Sequence, residues 1–205
     1  MDANTGFLST VGRAVTVVFY SEGDPWVMQA HVAKVSPVTI ETADESAIRL
    51  QPGTKLVLIV QEGGSTLKAQ AEVSHFTKTE SGVRVEVDAR TWQTSDRRRY
   101  PRYGFKIPVT IRRIDERADG EARFVEVRGE TEDISLAGAW IKSNDLLERG
   151  TLVEFRAILS ETESIRTLGV IAHANPVRGG MGLEFVEYVG GAKKNLRSFL
   201  NRLAA

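Results

Sequence analysis

Cysteine is absent from all 205 residues, which excludes disulfide scaffolds, zinc fingers, iron–sulfur clusters and thiol nucleophiles. Histidine is scarce. His31, His75 and His173 are widely separated and no two share metal-ligand spacing, so no metal site is expected. The longest unbroken apolar run, Leu56–Val60, falls far short of a membrane span. The opening Met1-Asp2-Ala3-Asn4 has no basic n-region and no apolar h-region follows it, which predicts a soluble, cytoplasmic chain. Catalytic signatures are missing too. Ser135 has no Gly-x-Ser-x-Gly frame, and neither a Walker loop nor a Gly-x-Gly-x-x-Gly after a strand occurs. The expectation is a protein that binds rather than catalyses.

What is present is ordinary globular composition, 41% hydrophobic and 26% charged, in a chain long enough for two domains. The formal net charge of zero conceals an asymmetry. Residues 1–96 carry eight basic and twelve acidic side chains, whereas residues 97–205 carry nineteen and fifteen. Arg97 to Arg113 holds seven basic side chains and no acidic one, so the two halves are expected to serve different partners.

Both halves read as β. Ala14–Tyr20, Trp26–Val35, Val38–Thr42, Lys55–Gln61, Leu67–His75 and Val83–Asp88 are β-branched or alternating runs separated by turn-rich segments. Ile107–Arg112, Arg123–Thr131, Gly138–Lys142, Thr151–Leu159, Ile165–Ala174 and Met181–Val186 continue the style, with Asn175–Gly180 as a hairpin connection. The period then changes: Leu196, Phe199, Leu200 and Leu203 fall at helical spacing, predicting an amphipathic helix from about Ala192. The predicted fold is all-β, with two small antiparallel barrels in tandem and a C-terminal α-helix. Domains are expected over 1–96 and 97–205, with Thr91–Asp96 as the boundary.

Two clusters carry binding chemistry. Arg97-Arg98-Arg99-Tyr100-Pro101-Arg102 supplies four guanidinium groups, each planar, permanently charged and able to grip phosphate or the O6/N7 edge of guanine. Pro101 argues against a continuous helix there and Gly104 adds a flexible point, so a basic loop is expected. Further on, Asp133-Ile134-Ser135-Leu136-Ala137-Gly138 sets Asp133 and Ser135 two residues apart. In an extended segment they share a face while Ile134 turns inward. A carboxylate suits the N1–H and N2–H₂ donors of guanine, and a hydroxyl can serve phosphate or amine. An Asx-type turn would explain the same residues without a ligand.

Arg98-x-x-x-Arg102, followed about 30 residues later by Asp133-x-Ser135-x-x-Gly138, resembles the PilZ family of cyclic di-GMP receptors. Gly182-Leu183-Glu184-Phe185-Val186 is similar to that family's last barrel strand, and the resemblance covers about residues 97–190. A β domain in front is similar to the family's two-domain YcgR-like arrangement, with a split-barrel-like first domain and a six-stranded PilZ barrel behind it. The resemblance implies that Arg98 and Arg102 grip guanine and phosphate, that Asp133 and Ser135 hold a guanine edge, and that Gly138 leaves room for it. It also implies a ligand contact for Arg97. Arg99 occupies a variable position inside the motif, as a ligand contact or simply solvated. Trp140 sits either on the ligand side, where it can stack on a base, or in core or interface packing.

The implied function is a non-enzymatic effector whose domains change relative orientation on binding cyclic di-GMP. It needs no cofactor, metal or specific nucleic acid. A flagellar motor component or another signalling protein is the implied partner, in a motility, biofilm or related output, and self-association stays open. Two readings compete. The basic 97–113 segment also suits nonspecific nucleic-acid binding, and a front split barrel suits a flavin-dependent reductase, although residues 1–96 show no phosphate site beyond generic Gly turns.

Overall fold

The computed structural model describes residues 10–62, 65–89, 93–94, 100–114 and 125–204. Two compact units emerge. The first is built from β1 (Ala14–Ser21), β2 (Asp24–Val35), β3 (Val38–Thr42), β4 (Lys55–Glu62), β5 (Ser65–Thr79), β6 (Gly82–Ala89) and the short β7 (Gln93–Thr94). All pairings are antiparallel. The strand order is β4-β1-β2-β3-β6-β5, and β5 returns to β4, closing six strands into a barrel with β7 added beside β5. Period-2 alternation fills it: Val15, Val17 and Phe19 from β1 meet Met28, Ala30 and Val32 from β2 inside. Glu22 and Gly23 join these strands at φ 56° and 86°, the left-handed pair of a type I′ hairpin whose twist matches the strands. The sequence offered no element at Glu45–Arg49. It forms a 3₁₀ turn because the Asp44 side chain accepts from the Ser46 amide at 2.8 Å and Ala47 is buried beneath.

The second unit comprises β8 (Pro108–Arg113), β9 (Glu126–Ser135), β10 (Gly138–Lys142), β11 (Leu152–Ile158), β12 (Ser164–Asn175), β13 (Gly180–Tyr188) and α1 (Ala192–Ala204). Its strands close in the order β10-β13-β12-β11-β8-β9. Val109, Ile111, Val153, Phe155, Ile171 and Phe185 point inward, joined by Leu196, Phe199 and Leu200 of α1. The Phe199 ring meets Phe105 edge-to-face at 5.3 Å, and Arg202 of α1 pairs with Glu163 between β11 and β12. The tandem antiparallel barrels and the C-terminal helix are as the sequence predicts. One difference bears on function: β9 does not stop at Thr131 but runs on to Ser135, so Asp133 and Ser135 lie on the strand itself. Of the expected boundary Thr91–Asp96, only Gln93 and Thr94 are described, as β7. Among the described residues no helix is long and apolar enough to cross a membrane, and no group of three or more His, Asp or Glu is placed to hold a metal ion.

Glu154 lies between the core residues Val153 and Phe155, so it faces out of the barrel, yet it is wholly buried. Arg156 and Arg166 donate to its two carboxylate oxygens and Arg112 approaches within 3.5 Å. Three strands, β8, β11 and β12, are thereby stitched on their outer face. A desolvated carboxylate with several guanidinium partners is strongly coupled to them, and removing its charge leaves those cations close together. Glu154→Gln is expected to destabilise the chain by about 3 kcal/mol, the lower end for a broken buried pair because Arg156 and Arg166 are partly exposed. Urea denaturation checks this; an unchanged midpoint would show that the cluster contributes no net stability.

Candidate functional site

The β9–β10 hairpin organises the site. Asp133, Ile134 and Ser135 pair with Trp140, Ala139 and Gly138, and only Leu136 and Ala137 form the turn. Ile134 is in the core, so Asp133 and Ser135 share the outer face. The register then slips: Asp133 opposes Trp140 but Thr131 opposes Ile141, leaving Glu132 as the extra residue of a β-bulge. Beyond the bulge Thr131 is buried opposite the core residue Ile141, while Glu132 and Asp133, adjacent in sequence, both keep solvent access.

The turn is held from several sides. The Ser135 hydroxyl donates to the Gly138 carbonyl and accepts from the Ala137 amide, both at 3.2 Å. The Phe185 amide donates to Ala137 O at 2.9 Å, and the Tyr188 hydroxyl donates to Leu136 O at 2.9 Å. Burial, reinforced by Tyr100 nearby, pushes the Tyr188 phenol above its ordinary range, so it remains a donor. Gly138 has a structural reason of its own. A Cβ there would meet the Leu183 carbonyl oxygen at 2.1 Å, on the backbone of the paired strand β13.

Arg102 is brought in by the segment leading to β8. Tyr103 and Ile134 exchange backbone hydrogen bonds of 2.9 and 3.0 Å. The Thr131 hydroxyl donates to Phe105 O and accepts from Ile107 N. With this segment strapped to β9, Arg102 Nη1 donates to Asp133 Oδ1 at 3.3 Å. The arginine side chain is 55% exposed, so the pair is worth roughly 0–1 kcal/mol and a better partner can replace either member. Arg97, Arg98 and Arg99 lie outside the described residues.

Trp140 is buried but stands apart from the barrel core, on the outer face across from Asp133. His173 of β12 lies against it with ring centroids 5.2 Å apart, and Arg178 of the β12–β13 hairpin places its Cζ 4.3 Å from the indole centroid. Arg178 also donates to Glu132 Oε1 at 2.9 Å, and Lys142 Nζ lies 3.8 Å from Glu132 Oε2. The hydrogen bond from Arg178 holds the Glu132 carboxyl below the usual carboxylate range, against the opposing effect of desolvation. The structure thus gathers Arg102, Asp133, Ser135, Gly138 and Trp140. Sequence reasoning did not single out Tyr188, Arg178 or Glu132. Arg178 lay in what reads locally as a connecting turn, and only the long-range register of β13 on β10 carries it to Trp140.

The PilZ domain profile matches residues 96–202, and the chain belongs to the PilZ domain family. A search of curated proteins finds no match. Among solved structures the chain is similar to the Bacillus subtilis inhibitor of motility MotI/DgrA, at 16% identity over 95% of this chain and 98% of that one, with a TM-score of 0.39. It is also similar to Escherichia coli YcgR in complex with c-di-GMP, at 12% identity over 93% and 84% of the two chains and a TM-score of 0.41. The K. pneumonia MrkH–c-di-GMP complex gives 13% identity over 93% and 87%, with a TM-score of 0.42.

Tyr188→Phe removes the hydroxyl that holds Leu136 while keeping the ring in place. The expected result is a loss of about 1 kcal/mol in chemical denaturation, with the fold retained. An unchanged midpoint would mean that the Phe185 amide and Ser135 hold the turn without it.

Proposed function

We propose that this chain is a cyclic di-GMP receptor and not an enzyme, with a front β domain over 1–96 and a PilZ domain over 97–205. The observation that carries the reading is the juxtaposition of Arg102 with Asp133 at the head of the pinned Asp133-x-Ser135-x-x-Gly138 hairpin, in a chain of the PilZ family. The dinucleotide bears two phosphate charges and two guanines. Asp133 accepts from the N1–H and N2–H₂ edge of one guanine, and Ser135 lies beside it on the same face. Arg97, Arg98 and Arg102 take phosphate oxygens and the O6/N7 edge, because guanidinium offers paired donors to both. Gly138 keeps the hairpin close-packed beneath.

Binding turns Arg102 away from Asp133 and toward the ligand, a weak exposed pair giving way to charge-assisted contacts that are desolvated on closure. Because the arginine segment lies between the two domains in sequence, its closure reorients them, and the reoriented surface engages a signalling protein in the cytoplasm. Differential contacts with the ligand in the two states supply the driving force.

Titration calorimetry with cyclic di-GMP, with GTP and cyclic AMP as controls, tests the reading, and small-angle scattering with and without ligand reads the reorientation. Each charged hydrogen bond contributes roughly 1.5–3 kcal/mol. Arg98→Ala and Asp133→Ala are therefore each expected to weaken selective binding about tenfold or more. Equal heats for all three nucleotides, or full affinity in both variants, would contradict it.

A further inference from the structure

Asp133 opens a row of directly opposed positions across the outer face: Asp133 on β9, Trp140 on β10, Gly182 on β13 and His173 on β12. Two glycines make the row flat. A Cβ at Gly182 would stand 2.4 Å from the His173 ring, and one at Gly180 would stand 2.9 Å from Trp140 Nε1. The histidine leans across one bare backbone and the indole lies over the other. Trp140 Nε1 is buried with no hydrogen-bond acceptor among the described residues. A buried indole N–H without an acceptor contributes nothing favourable, so Trp140 makes its polar contacts here through the face of its ring, against His173 and Arg178.

That face is occupied by Arg178. Its guanidinium lies over the indole, Glu132 fixes its Nη2, and half of the side chain still faces solvent. An arginine stacked on an aromatic ring and tied at one edge has lost most of its rotamer freedom before any ligand arrives. Its remaining plane can take a purine, since guanidinium stacks on base faces as well as on indole. Directly opposed outer-face positions on neighbouring strands have Cβ atoms about 4.5–5.5 Å apart. The ring of a guanine held by its donor edge on Asp133 is thus within reach of the neighbouring position, where Trp140 and Arg178 are stacked.

We propose that Arg178, supported by Trp140 and tethered by Glu132, is a further ligand-contacting residue of this chain and the stacking platform for the guanine base held at Asp133. The proposal rests on the cyclic di-GMP reading above. It assigns Glu132 as a positioning residue that acts through Arg178, and it gives the bulge in β9 a function: the bulge sets the tether beside the base-reading carboxylate.

Calorimetry with cyclic di-GMP on the full chain, together with ligand-free melting, tests it in three variants. Arg178→Ala is expected to weaken binding roughly 5- to 30-fold, the range of a partly desolvated cation–π contact. Arg178→Lys keeps the charge but loses the plane, and should recover only a minor part of that loss. Glu132→Gln removes the tether's charge but keeps an amide oxygen that accepts from the guanidinium, which is still able to stack, and should cost less affinity than Arg178→Ala. Full recovery by lysine would reduce Arg178 to a point charge and overturn the platform. So would equal losses in Glu132→Gln and Arg178→Ala, which would make the arginine a hairpin fastener. Binding by the parent with no change in Arg178→Ala overturns this proposal alone, whereas no binding by the parent overturns the receptor reading and the platform with it.

Discussion

The site depends on one extra residue in a strand. The bulge at Glu132 lets β9 keep Ile134 in the core while Thr131 is buried opposite Ile141. Strict alternation would have turned Glu132 inward and Thr131 outward. With the bulge, two consecutive carboxylates have solvent access, and Thr131 is free to strap the incoming segment through Phe105 and Ile107. That strap and the Tyr103–Ile134 bridge are what set Arg102 beside Asp133. Strap and ion pair thus follow from a local irregularity in β9, in a barrel whose β12–β13 pairing slips register as well.

Rigidity and looseness are divided sensibly across this surface. The turn from Ser135 to Gly138 is fixed by Tyr188, by the Phe185 amide and by the close passage of Gly138 along β13. Elsewhere on the barrel, Glu154 and its arginines join three strands from outside. The Arg102–Asp133 pair is exposed and weak by comparison. A receptor gains from such a division: a scaffold that holds the base-reading carboxylate still, and an arginine that leaves it at little cost when a multiply charged ligand offers more.

Much of the fold was legible because alternation is a local signal. Val15, Val17 and Phe19 announce a half-buried strand from seven residues, and Leu196, Phe199 and Leu200 announce a helix face. The motif positions were legible for the same reason, since a spacing of two fixes Asp133 and Ser135 on one face. The bulge was not, because Glu132 carries no residue signature that marks it as supernumerary; only its pairing with β10 does. Nor was the 3₁₀ turn at Glu45–Arg49, which rests on one Asp44 cap rather than on periodicity. Arg178 and Tyr188 act on the hairpin from more than 40 residues away, and no local pattern encodes that reach.

A crystal structure of the full chain with cyclic di-GMP bound tests the central claim most directly. The account predicts a guanine with its N1 and N2 donors on the Asp133 carboxylate, and Arg102 turned from Asp133 to the ligand. A dinucleotide seated away from the β9–β10 hairpin, or one bound with the Arg102–Asp133 pair intact, would contradict it.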